Sequence, residues 1–204
     1  MKPQDLLKFR LEATFVPFME DQGFRYSQSQ IKFTRNLESF VQTVSITLSR
    51  YNFEDNCNFS TYWNVHSPAY SKWYRGEWGE NPASNILGGG IELNIPGWDR
   101  AGGVLGCNLT NTQGDLGEIE RLLRNASQSG LPYLRRLSSW QGAAEDLLSR
   151  LWKYAQAADF LLIAGEKERA REALILGLRS YEVEGRKDAM GDLPQIKKRL
   201  DRYF

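Results

Sequence analysis

The sequence predicts an α+β fold: an N-terminal helix, an antiparallel sheet of four to five strands and a C-terminal helical bundle. Three observations predict it. Residues 31–65 alternate apolar and polar side chains in strand-length runs, the period at which successive side chains take opposite faces. A helical period precedes them. From about Asp115 onward the apolar spacing is helical throughout.

Residues 4–22 place Leu7, Leu11, Phe15, Phe18 and Met19 on one stripe of a helix. Pro17 inside that stripe should kink or restart it. Gly23 is placed to cap its C-terminus, with Phe24 folding back. In the first strand Ile31 and Phe33 alternate with Lys32 and Thr34. Residues 36–39 close a short hairpin onto the clearest strand, 40–50, where Phe40, Val44, Ile46 and Leu48 oppose Thr43, Ser45, Thr47 and Ser49. Its β-branched content suits a pleated surface. A turn-rich link, 52–56, leads to a third run in which Cys57, Phe59, Thr61, Trp63 and Val65 point one way. Links this short require antiparallel pairing. A fourth strand is expected at 91–95, with Glu92 and Asn94 outward, and a fifth at 104–110. Between Ser67 and Asn85 the periodicity dissolves into what reads as an aromatic loop.

The first C-terminal helix uses Leu116, Ile119, Leu122, Leu123 and Ala126, ending at Gly130. Ser138 or Ser139 caps the next, which carries Trp140, Ala144, Leu147, Leu148 and Leu151. Tyr154, Ala157, Ala158, Leu161 and Leu162 continue to Gly165, and Ala170, Ala173, Leu174, Gly177, Leu178 and Tyr181 follow. A short helix after Pro194 ends the chain. The expected organisation is one compact domain made of 1–114, helix plus sheet, and 115–204, helices packed on it. Residues 155–181 resemble one tetratricopeptide hairpin, too little for a solenoid; an ordinary helical hairpin is the competing reading.

The chain has 204 residues, 25% of them charged, and a net charge of +1, so no bulk attraction to nucleic acid is expected. Charges at Asp5, Lys8, Arg10 and Glu12 interrupt any leader-like run, and no apolar run approaches a membrane span of roughly 20 residues. Two separated cysteines, Cys57 and Cys107, fit a reducing compartment, and the expected location is cytoplasmic.

Several pieces together resemble DUF4304, a bacterial domain family of unknown function. They are Pro17-Phe18 with Gly23-Phe24, then Ile31-Lys-Phe-Thr-Arg35, then Gly130-Leu-Pro-Tyr-Leu134. The likeness covers roughly residues 5–150 and departs from the family's pattern over 88–106. Each motif is a cap, turn or packing signature. The family is associated with bacterial toxin systems, so the resemblance implies a protein-binding, immunity-type role.

No catalytic constellation, metal set or cofactor motif is apparent. His66 is the single histidine and could act as a general base, but no carboxylate or nucleophile is placed beside it by sequence. One histidine and two distant cysteines cannot make a zinc site. The glycines 88–90 enter a strand rather than a helix, so a bulge is expected, not a phosphate cradle. Glu77 with Glu80, or Glu92 with Asp99, are loosely spaced acid–base candidates. The functional candidates are Tyr62, His66, Tyr70, Trp73, Tyr74, Arg75 and Trp78, residue types that dominate binding hot spots. The competing reading makes Trp73 and Trp78 plugs at the sheet edge. The expected function is non-enzymatic protein binding, as of an immunity protein occluding a toxin. The alternatives are an enzyme built around His66, or a single-stranded nucleic-acid binder. Lys197, Lys198, Arg199 and Arg202 are expected on a solvated helix face.

Overall fold

The computed structural model describes residues 1–100, 106–188 and 191–204. The chain divides into two compact units, Met1–Arg135 and Arg136–Phe204. The α+β class holds: an N-terminal helix, an antiparallel sheet and a C-terminal helical region.

The first unit opens with α1 (Pro3–Asp21), a single helix that runs through Pro17 without a break. Leu7, Leu11, Phe15 and Met19 on its inner side are fully buried. Gly23, at φ +82°, ends it. Gly23 N–H donates to Glu20 O and Phe24 N–H to Met19 O, the left-handed termination that glycine permits. The strands are β1 (Arg25–Ser27), β2 (Lys32–Asn36), β3 (Val41–Leu48), β4 (Cys57–His66), β5 (Ile86–Ile91) and β6 (Cys107–Leu109). They pair antiparallel in the order β1-β2-β3-β4-β5, and β6 joins the same edge of β4 as β5. The hairpin at 36–39 closes with Leu37 N–H on Phe40 O at 2.8 Å. β4 alternates fully: Cys57, Phe59, Thr61, Trp63 and Val65 are buried and their neighbours are not. Phe15 meets Phe33 edge-on at 5.4 Å, so α1 lies on the apolar face.

The motifs that carried the family resemblance meet in space. The Arg35 guanidinium stacks 4.6 Å from the Phe24 ring and donates to Gln22 O and Gln42 Oε1. Gln42, 1% exposed, donates in turn to Leu134 O. Their role is to tie the end of α1 to the sheet and to the 130–134 segment.

Several expectations are corrected. The fourth strand runs Ile86–Ile91, and Glu92–Asn94 is a turn of 3-10 helix. Glu92 is buried rather than outward. The reason lies in the β4 edge. β5 pairs with residues 62–66 and β6 with 57–59, which leaves the Thr61 N–H between them without a strand partner. Glu92 Oε2 accepts from Thr61 N at 2.5 Å and from its Oγ1 at 3.0 Å, and the Trp63 indole donates to the same hydroxyl. A buried donor must be satisfied, and a carboxylate does it strongly. The expected fifth strand is present as β6; residues 104 and 105 lie outside the described residues. The expected bulge falls just before the glycines: Gly88, Gly89 and Gly90 pair regularly with Val65, Asn64 and Trp63, and the register shifts at Leu87, between Val65 and His66.

Gly130 does not end a helix. α3 (Gly114–Asn125) continues through a π turn, Ala126–Gly130, into α4 (Leu131–Leu137). Leu116, expected inside, is exposed. α3 is tied to α1 by the Arg10–Asp115 ion pair and to β6 by Arg121, which donates to Gly106 O and Cys107 Sγ.

The second unit contains α5 (Trp140–Ser149), α6 (Tyr154–Ile163), α7 (Lys167–Glu182) and α8 (Asp192–Tyr203). Ser139 caps α5, accepting from Gly142 N. Left-handed Leu151 and Lys153 separate α5 from α6. Asp192 accepts from the N–H groups of Tyr154 and Ala155, so α8 caps the positive end of α6. Gly177 lets α6 and α7 approach, since a Cβ there would meet Tyr154 and Ile196 at 2.7 Å. Arg199, expected on a solvated face, is buried. It holds Asp159 through two bonds of 2.7 and 2.6 Å.

Candidate functional site

The second face of the sheet is polar. Register places Lys32 beside Ser45 and Ser45 beside Tyr62, and likewise Thr34, Thr43 and Asn64 in one row. On β2, β3 and β4 this face carries no Asp or Glu. Tyr62 is 36% exposed near its centre. A groove of about 360 Å³ runs beside it, lined by Thr47, Ser49, Asn58 and Ser60 among others.

His66 ends the β4 row and is half-buried. Its Nε2 lies 3.4 Å from Thr43 Oγ1, and its ring also hydrogen-bonds Asn85. Burial lowers its pKa below the usual 6.5, the Asn85 bond partly opposes that, and the Lys32 charge lowers it further. His66 is therefore a neutral imidazole at neutral pH. Its described neighbours are a hydroxyl, an amide and a cation. This is not the carboxylate-oriented arrangement of a general base.

The stretch read as an aromatic loop is a helix, α2 (Pro68–Trp78). The local cause is legible once seen. Ser67 accepts from Tyr70 N at 3.0 Å, Pro68 takes the first helical position, and Gly79 at φ +72° stops the helix. Ser67 Oγ also donates to Ser39 O, pinning the cap to the β2–β3 turn. Tyr70, Tyr74 and Trp78 fall four residues apart and form a ladder of ring contacts at 5.7 and 6.3 Å. Tyr70 and Tyr74 are buried, so they present no surface; Trp73 and Trp78 are half-buried. Burial thus falls on the tyrosines more than on the tryptophans that the plug reading named.

Arg75 and Lys72 take the other side of α2. With Pro68, Ser71, Gly76 and Asn85 they line an open groove of about 530 Å³. Arg75 donates twice to Asn81 Oδ1, at 3.1 and 2.7 Å, which orients the guanidinium without neutralising it. Asn85 lines this groove and also bonds His66, at the end of the polar row of β4. Of the sequence candidates, Arg75 shares a groove with Asn85, the residue that bonds His66. Tyr62 sits two polar positions along β4 from His66. Lys32, Lys72 and Asn85 were not singled out by sequence. The available signals were the i, i+3 spacing of Lys72 and Arg75 and the outward parity of Lys32.

Glu92 is engaged by Thr61 and the Asp99 residue is exposed, so the suggested acid–base pair has one member fixed in a backbone role. Cys57 and Cys107 are free and buried; desolvation pushes their thiols up to about 11 and about 12. Among the described residues no group of three or more His, Cys, Asp or Glu could hold a metal ion, and no helix is long and apolar enough to cross a membrane. No protein-family profile, curated protein or solved structure matches this chain.

Proposed function

We propose that this chain is a non-enzymatic protein-binding module, of the immunity type that binds and occludes a toxin. One observation carries the protein-binding part. The first unit offers two open grooves rich in polar groups, one on the polar sheet face beside Tyr62 and one on the outer side of α2 lined by Lys72, Arg75 and Asn85. Tyr and Arg combine large contact area with directional polar groups. The toxin-directed part rests on the DUF4304-like motifs alone.

The test is affinity capture from the native organism's lysate, with Trp73→Ala/Arg75→Ala run beside the parent. The expected result is one stoichiometric partner that the double variant fails to retain, at an unchanged Tm. Retention by the variant would move the surface elsewhere, and an empty capture would remove the reading. The enzyme alternative needed a concave pocket holding His66. His66 lines neither groove described above, and its neighbours supply no carboxylate.

A further inference from the structure

We infer that the basic strip formed by Lys32, His66, Asn85, Lys72 and Arg75 is the docking site for an acidic segment of the protein partner. This rests on the protein-binding reading above and adds the partner's chemistry.

Charge complementarity carries the argument. Three elements contribute, β2, β4 and α2, with the segment between α2 and β5 joining them through Asn85. Lys72 and Arg75 line the open groove, and no carboxylate lines it. The polar face of β2, β3 and β4, on which Lys32 and His66 sit, lacks carboxylates as well. Register sets Lys32 opposite Ser45 and, across it, Tyr62, on the same sheet face as His66. Arg75 spends its described bonds on the neutral Asn81 amide. Lys72 and Arg75 are exposed and Lys32 is half-buried, and among the described residues none of the three is held in an ion pair, so an incoming carboxylate would use their charge in both steering and contact. Ser71, Ser45 and Asn64 supply hydroxyl and amide groups that can satisfy a peptide backbone.

Nucleic acid fits less well. A single strand needs successive aromatic platforms beside its phosphates. Here Tyr70 and Tyr74 are buried, and Tyr62 is the ring exposed on the polar face of β4. Three cations would neutralise few phosphates.

Oligoglutamate is the probe. It is titrated into the isotope-labelled full chain at low salt, with oligothymidylate of equal charge in a parallel titration. The expected result is a cluster of shift changes at Lys32, His66, Lys72, Arg75 and Asn85. Lys72→Glu/Arg75→Glu should then weaken binding roughly tenfold at unchanged Tm. If that variant is unfolded, Lys32→Glu, a change on the exposed side of a strand, should weaken binding in the same direction. Shifts centred on Lys197 and Lys198, indifference to charge reversal in both variants, or tighter binding of oligothymidylate at the strip would each overturn the inference. The probe needs no natural partner. A captured partner indifferent to both reversals would remove the acidic-segment inference and leave protein binding standing. An empty capture would remove the protein-binding reading and the partner's acidic segment with it, and a strip that still responds to oligoglutamate would then stand only as an anion-binding surface.

Discussion

Gly130 shows how much one missing methyl group decides. A Cβ there would lie 2.6 Å from Trp63 Cζ3, against an indole that is fully buried. Gly130→Ala should destabilise the protein by about 1–3 kcal/mol through overpacking, read as a lower urea midpoint at unchanged slope. The buried thiols make a second residue-level prediction. With pKa values of about 11 and about 12, Cys57 and Cys107 are protonated at neutral pH and enclosed. Both should resist a thiol reagent in the native protein and react fully in denaturant. Fast native labelling of either would contradict their placement. His66 gives the pH dependence. Its folded pKa lies below 6.5, so between that value and 6.5 the unfolded chain binds more protons. The contribution is present above about pH 6.5 and lost as pH falls through the folded value. An NMR titration of the ring should give a midpoint below 6.5 in the folded protein.

Helix α8 depends on an ion pair that its own sequence disguises. Arg199 stands in a run of bases, yet its side chain is 3% exposed and that of Asp159 0%. Removing one partner strands the other charge in a low-dielectric site. Arg199→Ala should therefore cost about 3–5 kcal/mol, whereas Lys197→Ala or Lys198→Ala, both exposed, should stay within about 0.5 kcal/mol. Similar losses for all three would show that the run is a solvated face after all. For α2 the decisive residue is Ser67, whose Oγ bonds both Tyr70 N and Ser39 O. Ser67→Ala should remove about 1 kcal/mol and fray the helix that positions Lys72 and Arg75. Weaker amide protection at Tyr70 and Ser71 would be the signature.

For the molecule as a whole, the balance of charge separates general from local electrostatics. At +1 overall the chain has no net field to hold a polyanion, so binding to mixed-sequence oligonucleotides at roughly 0.15 M salt should be undetectable by fluorescence anisotropy. A salt-sensitive affinity under those conditions would return single-stranded nucleic acid to the leading place. The local strip on the first unit is a different matter. It exists because strand parity sends Lys32 and His66 outward on one face while an i, i+3 pair on α2 points the same way as Asn85.

The sequence by itself determined the class, the alternation of β4, the cap at Gly23 and the helical C-terminal half, because each follows from a short-range period or a local turn. It also carried the cues for α2, Ser67-Pro68 and Gly79, although the crowded aromatics between them obscured the four-residue spacing. Only the tertiary structure decided which polar residues serve the fold. Glu92 reads as an outward strand residue until the gap between β5 and β6 leaves the Thr61 N–H in need of an acceptor. Arg199 reads as solvated until Asp159, forty positions away, is folded against it. Gly130 reads as a terminator until Trp63 arrives beside it. In each case the determining partner is distant in sequence and near in space, and no local pattern encodes that meeting.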